Sequence, residues 1–386
     1  MKKALLVDTS FSSAPLYQSI SNLGIETHVV GGNPDDYLAK IISNYHEMDY
    51  SDSNKLVKLI KKEGFDYVVP GCNDLSYKVC AEINEENTFP GIDNITNCNI
   101  INDKYLFRDF ASINNLPTPK VFGYSEKISK YPVIVKPVDA FSGKGITVVH
   151  NEEELPGAID FAKQQSSSTR YLVEEYFQGQ LFSHSAFVTN GKVKVDFIVE
   201  EHCTVSPFAV DTSKVDFRFS DLLLNELRTT VEKICELLSL KDGLVHTQFI
   251  LNNNNQWKII EITRRCPGDL YSELIRISSG YDYPSAYIKP FIGEKVNEDR
   301  GEARTSHIIR HTITSKEEGY LDSISFLKPC RIKKWVSLKT SGQFVAHGPP
   351  GRVGVLFLNN SDFFESVKQF DVLLRREMYE LNLSKQ

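Results

Sequence analysis

The chain has 386 residues, 41% apolar and 24% charged, with 44 basic against 50 acidic side chains and a net charge of −6. That length predicts two or three structural units on ordinary hydrophobic cores, and the lack of any long basic run excludes a phosphate-backbone binder, so no nucleic-acid partner is expected. The seven cysteines, an odd number without a CxxC pair, argue against a disulfide framework or zinc finger and fit reduced thiols in a cytoplasmic protein.

The N-terminus reads MKKALLVDTS, and its apolar run stops at Asp8 after four residues. A signal-peptide core needs about 7–15. No stretch approaches the ~20 apolar residues of a membrane helix, so no membrane partner is expected. Residues 4–7 read as a strand and 14–23 as a helix stopped at Gly24. A strand at 27–30 closes with Gly31-Gly32, a helix at 56–62 stops at Gly64, and a strand at 67–69 ends in Pro70-Gly71. Such alternation predicts a parallel sheet with flanking helices. No GxGxxG follows the first strand, so the dinucleotide fingerprint is absent. The loops 8–13 and 71–74 lie at strand ends where such sheets bind ligands.

Asn102-Asp103 caps a helix running to about residue 114, ended by Leu116-Pro117-Thr118-Pro119. Residues 131–150 read as two strands around a glycine-bearing loop, 152–164 as a helix, and 171–176 as a strand leading to a linker with Gly179. Residues 181–188 and 192–198 form a hairpin across Thr189-Asn190-Gly191. A long helix covers 220–238, and 244–251 with 257–263 make a second hairpin. The last ninety residues mix short strands with a final helix over 363–381.

In Pro132-Val-Ile-Val-Lys136-Pro137 a lysine stands inside an apolar strand. A buried ammonium without a counter-charge is costly. Lys136 therefore has to face an anion, either a bound phosphate or an internal carboxylate. Ser142-Gly143-Lys144-Gly145 follows, and glycine lets backbone N–H groups approach an anion closely. β-Branched residues come next, so the loop tips a hairpin and does not open a helix as a Walker loop does. A plain hairpin turn is the alternative.

In the second hairpin, a turn centred on Asn254-Asn255 sets Gln248 opposite Glu261 and His246 opposite Thr263. Period-two alternation gathers Glu261, Thr263 and Arg265 on the face of His246 and Gln248. Val245, Phe249, Ile260 and Ile262 take the other face. Magnesium accepts one or two carboxylates plus substrate phosphates. Gln248 and Glu261 offer hard oxygens, and Arg265 can grip a phosphate bidentately. A solvated polar face is the alternative.

Taken in order, these segments resemble the ATP-grasp superfamily, and within it the carboxylate–amine ligases, including L-amino-acid ligases, and the large subunit of carbamoyl-phosphate synthetase. The resemblance covers most of residues 1–290. Asn102-Asp103-Lys104 resembles the helix start with the family's first ATP lysine, which implies that Lys104 touches the phosphates. Lys136 resembles the second lysine, and residues 141–145 the phosphate-covering loop, which implies ATP contacts from Ser142, Gly143, Lys144 and Gly145. Leu172-Val-Glu174-Glu175-Tyr176-Phe177 resembles the hinge whose backbone reads the adenine edge, which places Glu174, Glu175, Tyr176 and Phe177 at ATP. Glu261-Ile-Thr263-Arg264-Arg265 resembles the Glu-x-Asn-x-Arg metal and phosphate motif. It implies Gln248, Glu261 and Thr263 as metal ligands, with Arg265 and Lys136 catalytic. Three positions depart from the pattern. Gln248 stands where Glu is common, although carbamoyl-phosphate synthetases also use Gln there. Thr263 replaces Asn, and Leu181 stands at the usual ribose glutamate.

The resemblance implies an α/β chain: a Rossmann-like parallel-sheet domain over 1–100, then a two-lobed α+β ATP-grasp domain with its small lobe at 101–173. The large lobe and a C-terminal subdomain fill 174–386. It implies ATP with Mg2+ or Mn2+, small-molecule carboxylate and amine substrates of amino-acid type, and a homodimer, as is common among similar enzymes. A ligase using bicarbonate or a nucleotide precursor, a kinase, and a non-catalytic ATP-binding regulator are the other readings. Arg264, Arg265, Arg310 and Arg352 are candidates to grip the acid. His184, His202 and His246 are candidate bases that a structural role suits better. The stretch Gly348-Pro-Pro-Gly-Arg352-Val-Gly354 lines an acceptor site or is a surface turn, and Cys266 is read as packing.

Overall fold

The computed structural model describes residues 1–85, 88–124, 126–140, 143–299 and 305–385. Strands β1 (Lys3–Val7), β2 (Glu26–Gly31), β3 (Tyr45–Glu47) and β4 (Tyr67–Pro70) form a parallel sheet of order β3-β2-β1-β4. Leu5 and Leu6, neighbours on opposite faces of β1, are both fully buried, as helices on both sides require. Those helices are α1 (Ala14–Asn22), α2 (Tyr37–Ile41), α3 (Ser53–Glu63), α4 (Asp74–Ile83) and α5 (Ile95–Asn102). α3 stops at Gly64, whose φ of 67° lets its N–H close on the Ile60 carbonyl. The sequence pattern passes over α4 and α5, whose signals are caps: Asn73 accepts from the Ser76 N–H and Asn94 from the Asn97 N–H.

α6 (Lys104–Ile113) starts on Asp103, which accepts from the Tyr105 and Leu106 N–H groups. Strands β5 (Val121–Phe122), β6 (Val133–Pro137), β7 (Thr147–Val149) and β8 (Tyr171–Glu175) make an antiparallel sheet of order β5-β8-β6-β7. α7 (Leu155–Gln165) covers it through Ala158 and Ala162, packed on Val133, Val135 and Val149.

The remaining strands are β9 (Gln180–Thr189), β10 (Lys192–His202), β11 (Thr212–Val215), β12 (Gly243–Leu251), β13 (Trp257–Thr263), β14 (His307–Thr314), β15 (Gly319–Phe326), β16 (Ile332–Ser337), β17 (Phe344–Val345), β18 (Arg352–Asn360) and β19 (Tyr379–Ser384). Eight of them run as one antiparallel sheet, β13-β12-β9-β10-β11-β14-β18-β16. On one face, α8 (Asp221–Leu237) and α6 pack Val231, Ile234, Phe107 and Ala111 against Ala186, Val245 and Ile262. On the other, α9 (Tyr271–Ser279) and α10 (Tyr283–Ile288) join one continuous core with the parallel sheet, in which Leu274, Tyr283 and Tyr287 share a cluster with Leu5, Val68, Phe187 and Phe197. The Tyr287 hydroxyl donates to the Pro70 carbonyl at 3.2 Å, so the carboxyl end of β4 abuts α10.

A parallel α/β sheet followed by two antiparallel lobes is the fold class expected. The C-terminus differs from expectation. The helix read over 363–381 is α11 (Phe363–Leu374), and β19 follows it. Arg376 adopts a φ of 58°, which ends the helix. The apolar and polar residues of Tyr379-Glu-Leu-Asn-Leu-Ser then alternate, a strand period, and pair with β15 in the sheet β17-β15-β19. No helix among the described residues is long and apolar enough to cross a membrane.

Candidate active site

The second hairpin has the expected register where it counts, with Gln248 opposite Glu261 and His246 opposite Thr263. It reaches that register by another route. The turn sets Leu251 opposite Trp257, and a bulge then skips Ile260, so Ile259 is the core residue and Ile260 is half-buried.

Across the large sheet, Gln248 pairs with Ser183 of β9, Glu201 of β10 with Ser213 of β11, and Ser213 with Arg310 of β14. A polar row thus crosses six strands. Gln248 Nε2 donates to Glu201 Oε2 at 2.7 Å, Ser183 Oγ to Glu201 Oε1 at 2.8 Å, and Arg310 Nε to Ser213 Oγ at 2.8 Å. Burial pushes the Glu201 carboxyl up, and the neighbouring Glu261 charge acts in the same direction. Glu201 carries no motif, and the sequence reading missed it. Its only signal is an acidic side chain at an inward position of an apolar strand.

Lys136 on β6 is buried, and its Nζ lies 2.5 Å from Glu174 Oε2 on neighbouring β8. The internal carboxylate is the anion the lysine meets, but Lys136 does not have it alone. Arg108 Nε, from α6, donates to Glu174 Oε1 at 2.9 Å. Two buried cations therefore share one buried carboxylate. Burial pulls the Lys136 ammonium down to about 8, with the Arg108 charge adding to it against the pull of Glu174. Burial favours the neutral form of Glu174, yet Arg108 and Lys136 overcome it and hold the carboxyl below its usual range. Arg108 Nη2 also donates to the Ile260 carbonyl at 2.8 Å, next to Glu261, while its Nη1 is buried with no hydrogen-bond partner among the described residues. One guanidinium thus joins the lysine strand to the glutamate hairpin. Arg108 was not singled out from the sequence, although it lies one helical turn after Lys104, at i+4 on the same face. Lys104 Nζ itself donates to the Ala140 carbonyl at 2.8 Å, at the foot of the glycine loop.

Gly143 and Gly145 have φ of 75° and 73°. A β-carbon at Gly143 would fall 2.9 Å from that of Phe208, and one at Gly145 2.8 Å from that of Gln165, so the loop requires glycine at both places. Lys144 is exposed, and Phe141 and Ser142 lie outside the described residues. In the hinge segment the Glu175 N–H is spent on the Lys120 carbonyl at 2.9 Å. Its carboxylate pairs with Lys258, which also stands over the Phe177 ring at 5.2 Å. Tyr176 and Phe177 leave the sheet half-buried.

Asp74, the first residue of α4, organises the other side. Its carboxylate takes Arg265 Nε and Nη2 at 2.9 and 3.1 Å and the Thr263 hydroxyl at 3.1 Å. Burial disfavours the Asp74 charge, but Arg265 outweighs it and keeps the carboxyl low. The sequence marked 71–74 as a strand-end loop without giving Asp74 a role.

Arg264 is not available to an acid. It spends Nε on Asp93 at 2.6 Å, Nη1 on the Leu244 carbonyl at 2.5 Å and Nη2 on the Lys241 carbonyl at 2.6 Å. Arg310 Nη1 donates to the Asp269 carbonyl at 2.9 Å, and Arg352 lies 3.3 Å from the Asp269 carboxylate. The three histidines are held structurally: His184 on Asp196, His202 on Glu200, and His246 on Ser185 at 2.7 Å. Burial, with Arg265 nearby, keeps His246 well below its ordinary pKa and hence neutral. A β-carbon on Gly351 would meet the Ala346 carbonyl oxygen at 1.8 Å, so this glycine serves a tight chain crossing. Cys266 is fully buried, as packing requires.

The donors fit magnesium. Gln248 and Glu261 face each other, Glu201 stands behind Gln248, and the mutual repulsion of the two carboxylates is what a divalent cation relieves. Among the described residues no three His, Cys, Asp or Glu side chains form a group that could hold a metal ion by themselves. Two cavities of about 260 and 290 Å³, beside β19 and beside the start of α11, contain none of the residues singled out from the sequence.

Residues 129–273 match the ATP-grasp domain family. The chain is similar to the carbamoyl phosphate synthase large chain of Clostridium perfringens, 22% identical over 256 residues, which cover 63% of this chain and 24% of that one. It spans about a quarter of the length of the first such relatives. Among solved structures it resembles an L-amino acid ligase from Bacillus licheniformis, 17% identical, with a TM-score of 0.82 over 100% of this chain and 99% of that one. It also resembles the biotin carboxylase domain of the Hydrogenobacter thermophilus 2-oxoglutarate carboxylase, solved with MgADP and bicarbonate, 16% identical, with a TM-score of 0.77 over 100% and 91%. At such identities the likeness is one of fold. The family match and the two antiparallel lobes agree: residues 129–273 of this chain carry an ATP-grasp domain.

Proposed function

We propose that the chain is an ADP-forming ligase that activates a small carboxylic acid with ATP and joins it to an amine. One observation carries the reading: at Lys136 two buried cations share a single carboxylate, leaving one excess positive charge out of water. Such a charge calls for an anion, and a nucleotide polyphosphate supplies it. Lys104, Lys136 and the loop of Gly143, Lys144 and Gly145 take the phosphates. Residues 174–177 border the adenine. Gln248, Glu261 and Thr263 hold Mg2+ or Mn2+, and Arg265, oriented by Asp74, steers the γ-phosphate.

A carboxylate acylates poorly because oxide is a bad leaving group. Transfer of the γ-phosphoryl group to it gives an acyl phosphate; the amine attacks, and phosphate leaves. Phosphoryl transfer asks the protein for positioning and charge neutralisation more than for covalent help. The metal, when bound, supplies part of that neutralisation. Acyl phosphates hydrolyse, so water must be kept out, and the glycine loop seated on Phe208 is placed to cover the site.

Amino-acid-like acids lead because of the likeness to an L-amino acid ligase, and bicarbonate is second because of the bicarbonate-bound neighbour. Both are tested by screening amino acids, other small acids and bicarbonate, each with an amine, for ADP release with magnesium. The expected result is ADP release that requires acid and amine together, with a product of their summed mass less water. A phosphorylated acceptor, or nucleotide binding without turnover, overturns the ligase reading.

A pH dependence follows from Lys136. Its ammonium loses its proton as pH rises through about 8, whereas an unfolded lysine holds it to 10.5. Between those values the unfolded chain binds more protons, so this group makes folding more favourable as pH rises. Apparent ATP affinity should nevertheless fall above about pH 8, because the phosphate loses its partner charge. Lys136→Arg should move that limb upward. A flat profile to pH 10 removes Lys136 from the phosphate site.

A further inference from the structure

We propose that Glu201 is a positioning residue that turns the Gln248 amide into an oxygen ligand for the metal. The proposal deepens the nucleotide reading above and rests on it. An amide presents either an acceptor oxygen or a donor NH2 group, and only the oxygen can ligate a cation. Something must therefore decide which way Gln248 turns. The Glu201 carboxylate accepts from Gln248 Nε2 at 2.7 Å. The reversed amide would set oxygen against carboxylate oxygen at that distance, so the hydrogen-bond network assigns the orientation. Gln248 Oε1 is then left for another partner, and none of the hydrogen bonds among the described residues takes it.

Glu201 is itself fixed. It is 4% exposed, Ser183 Oγ donates to its other oxygen at 2.8 Å, and Gln180 Nε2 holds its backbone carbonyl at 2.8 Å. The carboxylate thus sits one hydrogen bond behind the ligand, where it both orients the amide and contributes the negative charge that a glutamine lacks. Outer partners of this kind fix ligand geometry throughout metal sites. The neutral amide at position 248 thus gains a negative charge through a residue 47 positions away on another strand.

The test exchanges the two side chains. Manganese binding is measured by electron paramagnetic resonance with ADP present, and thermal midpoints are measured without either. Glu201→Gln leaves the amide without a preferred orientation, and Mn2+ affinity should drop by about 10-fold or more with little change in midpoint. Gln248→Glu sets two carboxylates in contact, and the midpoint should fall. The double variant Glu201→Gln/Gln248→Glu restores the hydrogen bond with donor and acceptor exchanged and puts a carboxylate at the ligand position. Its Mn2+ affinity should return to the unaltered level or above it, and its midpoint should recover. Unchanged Mn2+ affinity in Glu201→Gln overturns the proposal, as does a double variant no better than either single one. If the unaltered protein binds no Mn2+ with ADP, the nucleotide reading itself has failed, and the proposal falls with it.

Discussion

Glu261→Ala is expected to lower ADP release by at least about 10²-fold, the usual cost of removing one preorganised charge-stabilising group, while the protein stays folded. The two halves of that result have separate causes. Glu261 is half-buried on β13, and none of the hydrogen bonds or ion pairs among the described residues engages its carboxylate. Its removal strands no buried partner, and it relieves the repulsion felt by Glu201. What it removes is the one carboxylate that residues 243–263 carry. The measurement is a coupled ADP assay with magnesium beside a thermal melt. Normal turnover in a folded Glu261→Ala protein would take the metal site away from this hairpin.

Arg108→Ala should act the other way round, through the fold first. Arg108 and Glu174 are almost fully buried, and breaking a buried pair by deleting one partner costs about 3–5 kcal/mol. The Ile260 carbonyl loses its donor as well. For a chain of this length unfolding as one unit, that corresponds to a midpoint lower by about 5 °C. A second effect accompanies the first. With Arg108 gone, Lys136 and Glu174 form a neutral pair, the surplus charge disappears, and ATP affinity should weaken together with stability. Arg108→Lys is the sharper comparison, because an ammonium keeps the charge but cannot reach the carboxylate and the Ile260 carbonyl in two directions. It should recover part of the nucleotide affinity and little of the stability. An unchanged midpoint in Arg108→Ala would show that the two hairpins do not depend on this bridge.

Much of this architecture is legible in the residues because it depends on local periodicity. Glycine stops, the Asn190-Gly191 turn and the alternation in 244–263 place strands and helices within a few residues of where they form. The opposition of Gln248 and Glu261 is also legible, although the bulge at Ile260 shows that a correct register can come from an incorrect turn. What sequence does not disclose is who pairs with whom at long range. Asp74 meets Arg265 across 191 positions, Arg108 meets Ile260 across 152, and Glu201 meets Gln248 across 47. These contacts belong to the packing of three sheets, and no spacing rule encodes them. Apolar residues recur through 363–381, and only the left-handed turn at Arg376 separates the helical period of α11 from the strand period of β19.

The grip of Asp74 also bears on how such a chain can be altered. That carboxylate opens α4, next to the parallel sheet, yet it holds Thr263 at the end of β13 and Arg265 just after it. A chimera that grafts a foreign first sheet onto the rest would import new loops for recognition and leave a guanidinium without its mate. Inheritance of a new specificity by wholesale exchange is therefore barred unless an acid arrives at the same spot. Change in the first sheet has to proceed loop by loop, around one fixed aspartate.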